Sequence, residues 1–230
     1  MVELYLIGTF HFDLDGSQRL FRLLRHIKPN NVAVEYSSSG VNYARDMEFI
    51  LNQKNGLELI IAGFKKLIPG AHDETIQALI SNGSYEYAIS KRFADENNIN
   101  FVLADEYLGD LGELETKIQD PSSETLKSLS IYLKMNPEEL RAAAREIYSG
   151  SLSGLTDEQI TEMYNATGSL EERDKLTEKI LRELNGRTAY ICGLAHLFGG
   201  HEYYRGKPNL YDRLVVLNPI RLKLDEADSL

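Results

Sequence analysis

The sequence predicts one α/β domain over residues 1–230, with a central mainly parallel or mixed sheet, flanking helices and a helical insertion over residues 107–185. Three observations predict this class. Short apolar segments typical of buried strands lie towards both ends of the chain. Amphipathic segments with helix-capping residues separate them. The 230 residues, 43% of them hydrophobic, are enough for one sizeable core.

The first half of the chain alternates between predicted strands and helices. Strands are predicted at 2–8, 31–35 and 100–104, and helices at 15–28 and 84–97. The intervening stretch 41–97 is mostly helical, with glycine and proline breaks. A strand, a helix and a second strand joined by short connections favour parallel pairing with a right-handed crossover.

The second half begins with helices and ends with strands. Residues 107–185 contain capped helix starts at Asn136, Thr156 and Ser169 and no convincing strand. We therefore expect a helical insertion there. Two further strands are predicted, at 188–193 and 214–217.

The composition of the chain argues against several kinds of partner and site. The net charge of −10 makes nucleic acid an improbable partner. The single cysteine, Cys192, excludes an intrachain disulfide and a multi-cysteine metal cluster. No signal peptide and no integral membrane segment are recognisable, so we expect a cytoplasmic protein, and a homo-oligomer is compatible with the sequence.

Polar residues stand at or just after the ends of four predicted strands. They are His11, Glu35, Asp105 and His196. Ligands of open α/β sheets bind outside the carboxyl ends of the strands. We therefore expect these four residues to converge on one edge of the sheet.

Two of them belong to Gly-x-x-His segments, Gly8 to His11 and Gly193 to His196. Glycine lets the chain turn sharply off a strand and lets a ligand approach. Two imidazoles and the carboxylate of Glu35 are a ligand set for a divalent metal ion such as Zn, Mn, Co or Fe. The alternative is that each histidine only hydrogen-bonds to backbone in its turn.

Other candidates lie beside these residues. Tyr36, Asp105 and His201 are candidates for substrate binding, although Tyr36 is one of 13 tyrosines and His201 is in a glycine-rich loop typical of a surface. Glu35 is also a candidate catalytic residue, because burying a carboxylate at the end of an apolar strand is costly unless it is paired or ligating.

Four short motifs, in this order, resemble the TraB/PrgY pheromone-shutdown family, which is grouped with the Tiki proteases, the GumN proteins and, more distantly, the ChaN-like and erythromycin-esterase-like proteins. The motifs are Ile-Gly-Thr-Phe-His (7–11), Val-Ala-Val-Glu (32–35), Glu-Arg-Asp (172–174) and Cys-Gly-Leu-Ala-His-Leu-Phe-Gly (192–199). One departure is Asp105–Glu106, where the family usually has an Asp-Arg pair. Residues between the second and third motifs are not covered by the resemblance.

The resemblance implies that His11, Glu35, Arg173 and His196 are the family's site residues. On its highly charged sequence context alone, Arg173 is more typical of a solvated surface residue. As a site residue, it would bind a substrate carboxylate or a developing oxyanion. The expected function is metal-dependent hydrolysis of a peptide or other carbonyl substrate. The alternative is a non-catalytic regulatory protein that binds a peptide, haem or small signal in the same cleft.

Overall fold

The structure, a computed structural model, describes residues 3–82, 84–105, 124–150, 170–198, 204 and 206–230. The strands are β1 (Glu3–Thr9), β2 (Asn31–Val34), β3 (Asn100–Leu103), β4 (Arg187–Gly193) and β5 (Ile220–Lys223). The helices in the first half are α1 (Gly16–Ile27), α2 (Ser38–Leu51), α3 (Gly56–Leu67), α4 (Asp73–Asn82) and α5 (Tyr85–Asn97). Those in the second half are α6 (Glu124–Leu133), α7 (Pro137–Ser149), α8 (Leu170–Glu183), α9 (Leu194–Phe198) and α10 (Leu210–Leu214), with short 3₁₀ helices at Val215–Leu217 and Leu224–Ser229.

The five strands form one sheet in the order β3-β2-β4-β1-β5, and all neighbours are parallel. The predicted α/β class, with a sheet made from both ends of the chain, is confirmed. β4, from the C-terminal part, lies between β2 and β1. Because the strands are parallel, all their carboxyl ends meet at one edge of the sheet.

Helices cover both faces of the sheet, and alternate strand residues point to opposite faces. In β1, Ile7 packs in a core with α1 and α5, whereas Leu6 packs on the other face with α8, α9 and α10. Because helices cover both faces, most residues of the central strands are apolar. A separate apolar cluster, centred on Ile68, Ile76 and Leu133, joins α3, α4 and α6.

The predicted fifth strand at residues 214–217 is wrong. These residues end α10 and form a 3₁₀ turn, and the edge strand is Ile220–Lys223 instead. The side chain of Asn209 accepts a hydrogen bond from the backbone N–H of Asp212 and so starts a helix at this point. Val215 and Val216 are 55% and 73% exposed, so this apolar run does not enter the core.

The described part of the expected insertion is helical. The predicted cap at Asn136 is confirmed, since its side chain accepts hydrogen bonds from the N–H groups of Glu138 and Glu139 at the start of α7. The expected helix starts at Thr156 and Ser169 lie outside the described residues. Among the helices that are described, none combines the length and apolar character needed to cross a membrane.

Candidate functional site

Glu35 is the centre of a charged cluster at the carboxyl edge of the sheet. Its Oε1 lies 2.9 Å from His196 Nε2 and 2.5 Å from Arg173 Nη2. Its Oε2 accepts a 2.7 Å hydrogen bond from the backbone N–H of Gly193. Burial opposes ionisation of this carboxyl, but the positive charges of His196 and Arg173 hold the pKa of Glu35 well below its usual range. Glu35 is therefore a carboxylate throughout the neutral pH range.

His196, in α9 directly after β4, lies between two carboxylates. Its Nδ1 is 2.5 Å from Asp174 Oδ1 and its Nε2 faces Glu35, and the side chain is only 5% exposed. Burial disfavours the charged ring, but Glu35 and Asp174 together raise the pKa of His196 to about 10. Without a metal ion, the ring is an imidazolium at neutral pH and donates from both nitrogens.

His11, in the turn after β1, is held in the same way by a different carboxylate. Its Nδ1 lies 2.8 Å from Glu86 Oε1, at the start of α5. The protein around the ring disfavours its charge, but Glu86 and then Glu35 raise the pKa of His11 to about 9. The side chain is nevertheless 62% exposed, so water screens the pair with Glu86, and this pair adds little to stability.

Arg173, on α8, joins Glu35 to Asp105 after β3. It binds Asp105 through two parallel contacts, Nε to Oδ1 at 3.2 Å and Nη2 to Oδ2 at 2.6 Å. Burial works against the guanidinium charge, but Glu35 and Asp105 raise the pKa of Arg173 above its already high value. These contacts make Asp105 a partner of Arg173. That either residue binds substrate stays a prediction.

In each Gly-x-x-His segment, the glycine leaves space for a side chain of the other segment. A β-carbon on Gly8 would lie 2.9 Å from Leu194 Cδ2, in the second segment, so α9 packs closely on β1 at this glycine. A β-carbon on Gly193 would lie 3.4 Å from His11 Nε2 and 3.6 Å from Glu35 Oε2. His11 Nε2 and Glu35 therefore face the same small space beside Gly193.

Tyr36, directly after Glu35, contacts Ser84 and Tyr87 at the start of α5. Tyr36 donates a 2.9 Å hydrogen bond to Ser84 Oγ and stacks on Tyr87, with ring centroids 4.9 Å apart. It lies in the wall of a neighbouring cavity. His201 lies outside the described residues. Their roles in substrate binding stay predictions.

Sequence reasoning missed the two carboxylates that hold the histidines, Glu86 and Asp174. A signal for each was present in the helical pattern. Asp174 falls on the buried stripe of α8 formed with Leu170 and Leu181, at the spacing of one helix face. Glu86 is likewise on the buried face of α5, with Phe93 seven residues later. A carboxylate on an otherwise apolar helix face indicates a buried partner.

The histidines and carboxylates of the cluster are side chains of the types that ligate divalent metal ions. Within the described residues, no three His, Cys, Asp or Glu side chains already surround one point as a metal site. In the metal-free chain, His196 Nε2 is hydrogen-bonded to Glu35 Oε1, and the raised pKa of His196 keeps this ring protonated at neutral pH. The donor types do fit, because two Nε2 atoms and one carboxylate face the same region. A carboxylate at each Nδ1 is also the usual outer support of metal-binding histidines.

No family model, curated protein or solved structure matches this chain in the comparisons with known proteins. The resemblance to the TraB/PrgY family therefore stays a prediction based on its four motifs.

Proposed function

We propose that this protein is a metal-dependent hydrolase that acts on a peptide or another carbonyl compound. The proposal is carried by one observation: His11 and His196 are each held at Nδ1 by a carboxylate, with Nε2 on the side of Glu35. This arrangement lies at the carboxyl edge of a parallel sheet, where α/β proteins bind their ligands.

The metal ligands in this proposal are His11 Nε2, His196 Nε2 and a carboxylate oxygen of Glu35. Imidazole and carboxylate ligands suit Zn, Mn, Co or Fe. A divalent ion supplies Lewis acidity towards a carbonyl oxygen and towards water. Both rings must lose a proton to ligate, so binding competes with protonation.

The residues of the chain orient the site and set its charge. Glu86 and Asp174 fix the ring orientations, and the N–H of Gly193 fixes one oxygen of Glu35. In the metal-free chain, the pKa of Glu35 is well below its usual range, so this residue is ionised and available as a carboxylate ligand. Arg173 keeps Glu35 ionised and adds fixed positive charge, which favours negative charge on a reacting oxygen.

Metal binding is tested by the metal content of the purified chain after loading with each divalent ion and removal of the excess. His11→Ala is expected to lose the bound ion. His26→Ala, on the exposed face of α1, is the matched control and should retain the parent stoichiometry. His196 must release its proton to ligate, so apparent affinity should rise with pH below the raised pKa of His196, by up to about 10-fold per pH unit. Equal metal content in His11→Ala and the parent would contradict the proposal.

Hydrolysis is tested with mixed-sequence fluorogenic peptides and with p-nitrophenyl esters. The loaded protein should cleave at least one of these classes, and chelation or His11→Ala should reduce the rate to background. Recovery of all substrates intact from the metal-loaded protein would overturn a hydrolytic function.

A second candidate is a non-catalytic binding protein for a peptide, haem or small signal. The observation that favours it is the complete pairing of His196, whose two nitrogens both contact carboxylates in the metal-free chain. A ligand that binds measurably but is recovered intact would favour this candidate.

A further inference from the structure

A cavity of about 700 Å³, partly open to solvent, adjoins the charged cluster and is lined by α2 to α6 and by the turns after β1 and β2. This volume is in the usual range for a small-molecule site. Its walls are mostly apolar, with aliphatic residues such as Leu79, Ile80 and Leu133. A mostly apolar wall of this kind favours the apolar part of a ligand.

The cavity shares a wall with the charged cluster. Three residues of the cluster or its support are each followed directly by an aromatic residue that lines the cavity. These pairs are His11–Phe12, Glu35–Tyr36 and Glu86–Tyr87. In each of the three pairs, the first residue therefore belongs to the cluster and the aromatic ring of the second lines the cavity. The cavity and the cluster are therefore neighbours, joined by three pairs of consecutive residues.

Arg45, on α2, is the one charged residue among the cavity-lining residues that the structure describes. Among the described residues, its guanidinium has no hydrogen-bond or ion-pair partner, in contrast to Arg173, which is paired with Asp105. A cation at an apolar cavity favours an anionic group on the ligand, since guanidinium binds carboxylates with a fixed geometry.

We propose that this cavity binds the apolar portion of a negatively charged substrate, with Arg45 binding the anionic group. The ligand class is a medium-sized apolar carboxylic acid or a derivative that retains one carboxylate. The inference rests on the proposed function only for the statement that this ligand is the substrate.

The test measures binding of hexanoate, octanoate and decanoate by titration calorimetry, with decanol as the uncharged probe. Each buried methylene is worth about 0.8 kcal/mol, so affinity should rise up to about fourfold per added methylene. Ala88→Trp places an indole in the cavity from an exposed position of α5 and should abolish decanoate binding. Ala62→Trp, exposed on α3 and outside the cavity wall, should leave binding unchanged.

The role of Arg45 is tested separately. Because the pair is solvent-accessible, Arg45→Gln should weaken decanoate about two- to fivefold, to the affinity of decanol, and leave decanol unchanged. Arg145→Gln, exposed on α7 and outside the cavity wall, is the matched control. Equal affinities of decanoate and decanol in the parent would overturn the anionic specificity.

The result also separates the two proposals. His11→Ala should retain decanoate binding, because His11 belongs to the cluster and not to the cavity wall. An absence of chain-length dependence, or equal binding by Ala88→Trp and Ala62→Trp, would overturn the cavity assignment alone. A parent protein that binds decanoate but neither a metal ion nor a cleavable substrate would overturn the hydrolase alone.

Discussion

Replacing Glu35 with glutamine removes the charge that contributes most to keeping His196 protonated in the folded chain. The pKa of His196 is about 10 there, against an ordinary value of 6.5. A pKa raised by folding stabilises the protein fully below the unfolded value, and the stabilisation is lost as the pH rises through the folded value. We therefore expect the parent protein to lose stability between about pH 6.5 and pH 10.

The size of this loss follows from the two pKa values. From pH 6 to pH 9, the free energy of unfolding should fall by roughly 3 kcal/mol because of His196 alone. The lowered pKa of Glu35 acts with the opposite sign, since its stabilisation is present above the usual value and is lost only in acid. The stabilisation from Glu35 therefore stays constant between pH 6 and pH 9. In Glu35→Gln, Asp174 is the remaining neighbour that raises the pKa of His196, so the part of the decline that His196 causes should shrink.

Urea unfolding at pH 6, 7, 8 and 9 measures this difference, and NMR titration of the imidazole resonances reports the pKa of His196 directly. Glu58→Gln, exposed on α3, is the control and should follow the parent curve. Parallel pH profiles for the parent and Glu35→Gln, or titration of His196 near pH 6.5, would refute the assigned charge state.

Two further substitutions test the supports of the site. Asp174→Asn should lower the pKa of His196, because Asp174 contacts its Nδ1 and helps to hold the ring charged, and an unchanged NMR titration of His196 would refute this support. Gly8→Ala should lower the free energy of unfolding by about 1–3 kcal/mol, because the added methyl group meets α9. Gly63→Ala, where the methyl group has no neighbour within 4 Å, should instead raise it by about 0.5–1 kcal/mol in the same urea assay.

The first four strands were predictable because their signals are local. Each is a short, mostly apolar run ended by a glycine or a charged residue, because both faces of the sheet are covered by helices. The run at 214–217 has a similar composition but is the end of a helix. Its start depends on the capping pair Asn209 and Asp212, which outweighs the apolar pattern.

The candidate site was predictable in part for a topological reason. Parallel strands bring their carboxyl ends to one edge, so Glu35 and His196 could be expected near each other although 161 positions separate them. Glu86 and Asp174 could not be assigned to particular histidines in this way, since they lie on helices whose placement depends on packing.

The sequence by itself determined the α/β class, the positions of four strands and the residues that stand at their carboxyl ends. These features depend on the local hydrophobic pattern and on the residues that begin and end each element. Only the tertiary structure decided the strand order, the carboxylate that holds each histidine and the binding of Arg173 between Glu35 and Asp105. The charge states of His11 and His196 belong to this second group. They depend on distances to carboxylates from remote parts of the chain, and the electrostatic interaction is strong only within a few ångströms.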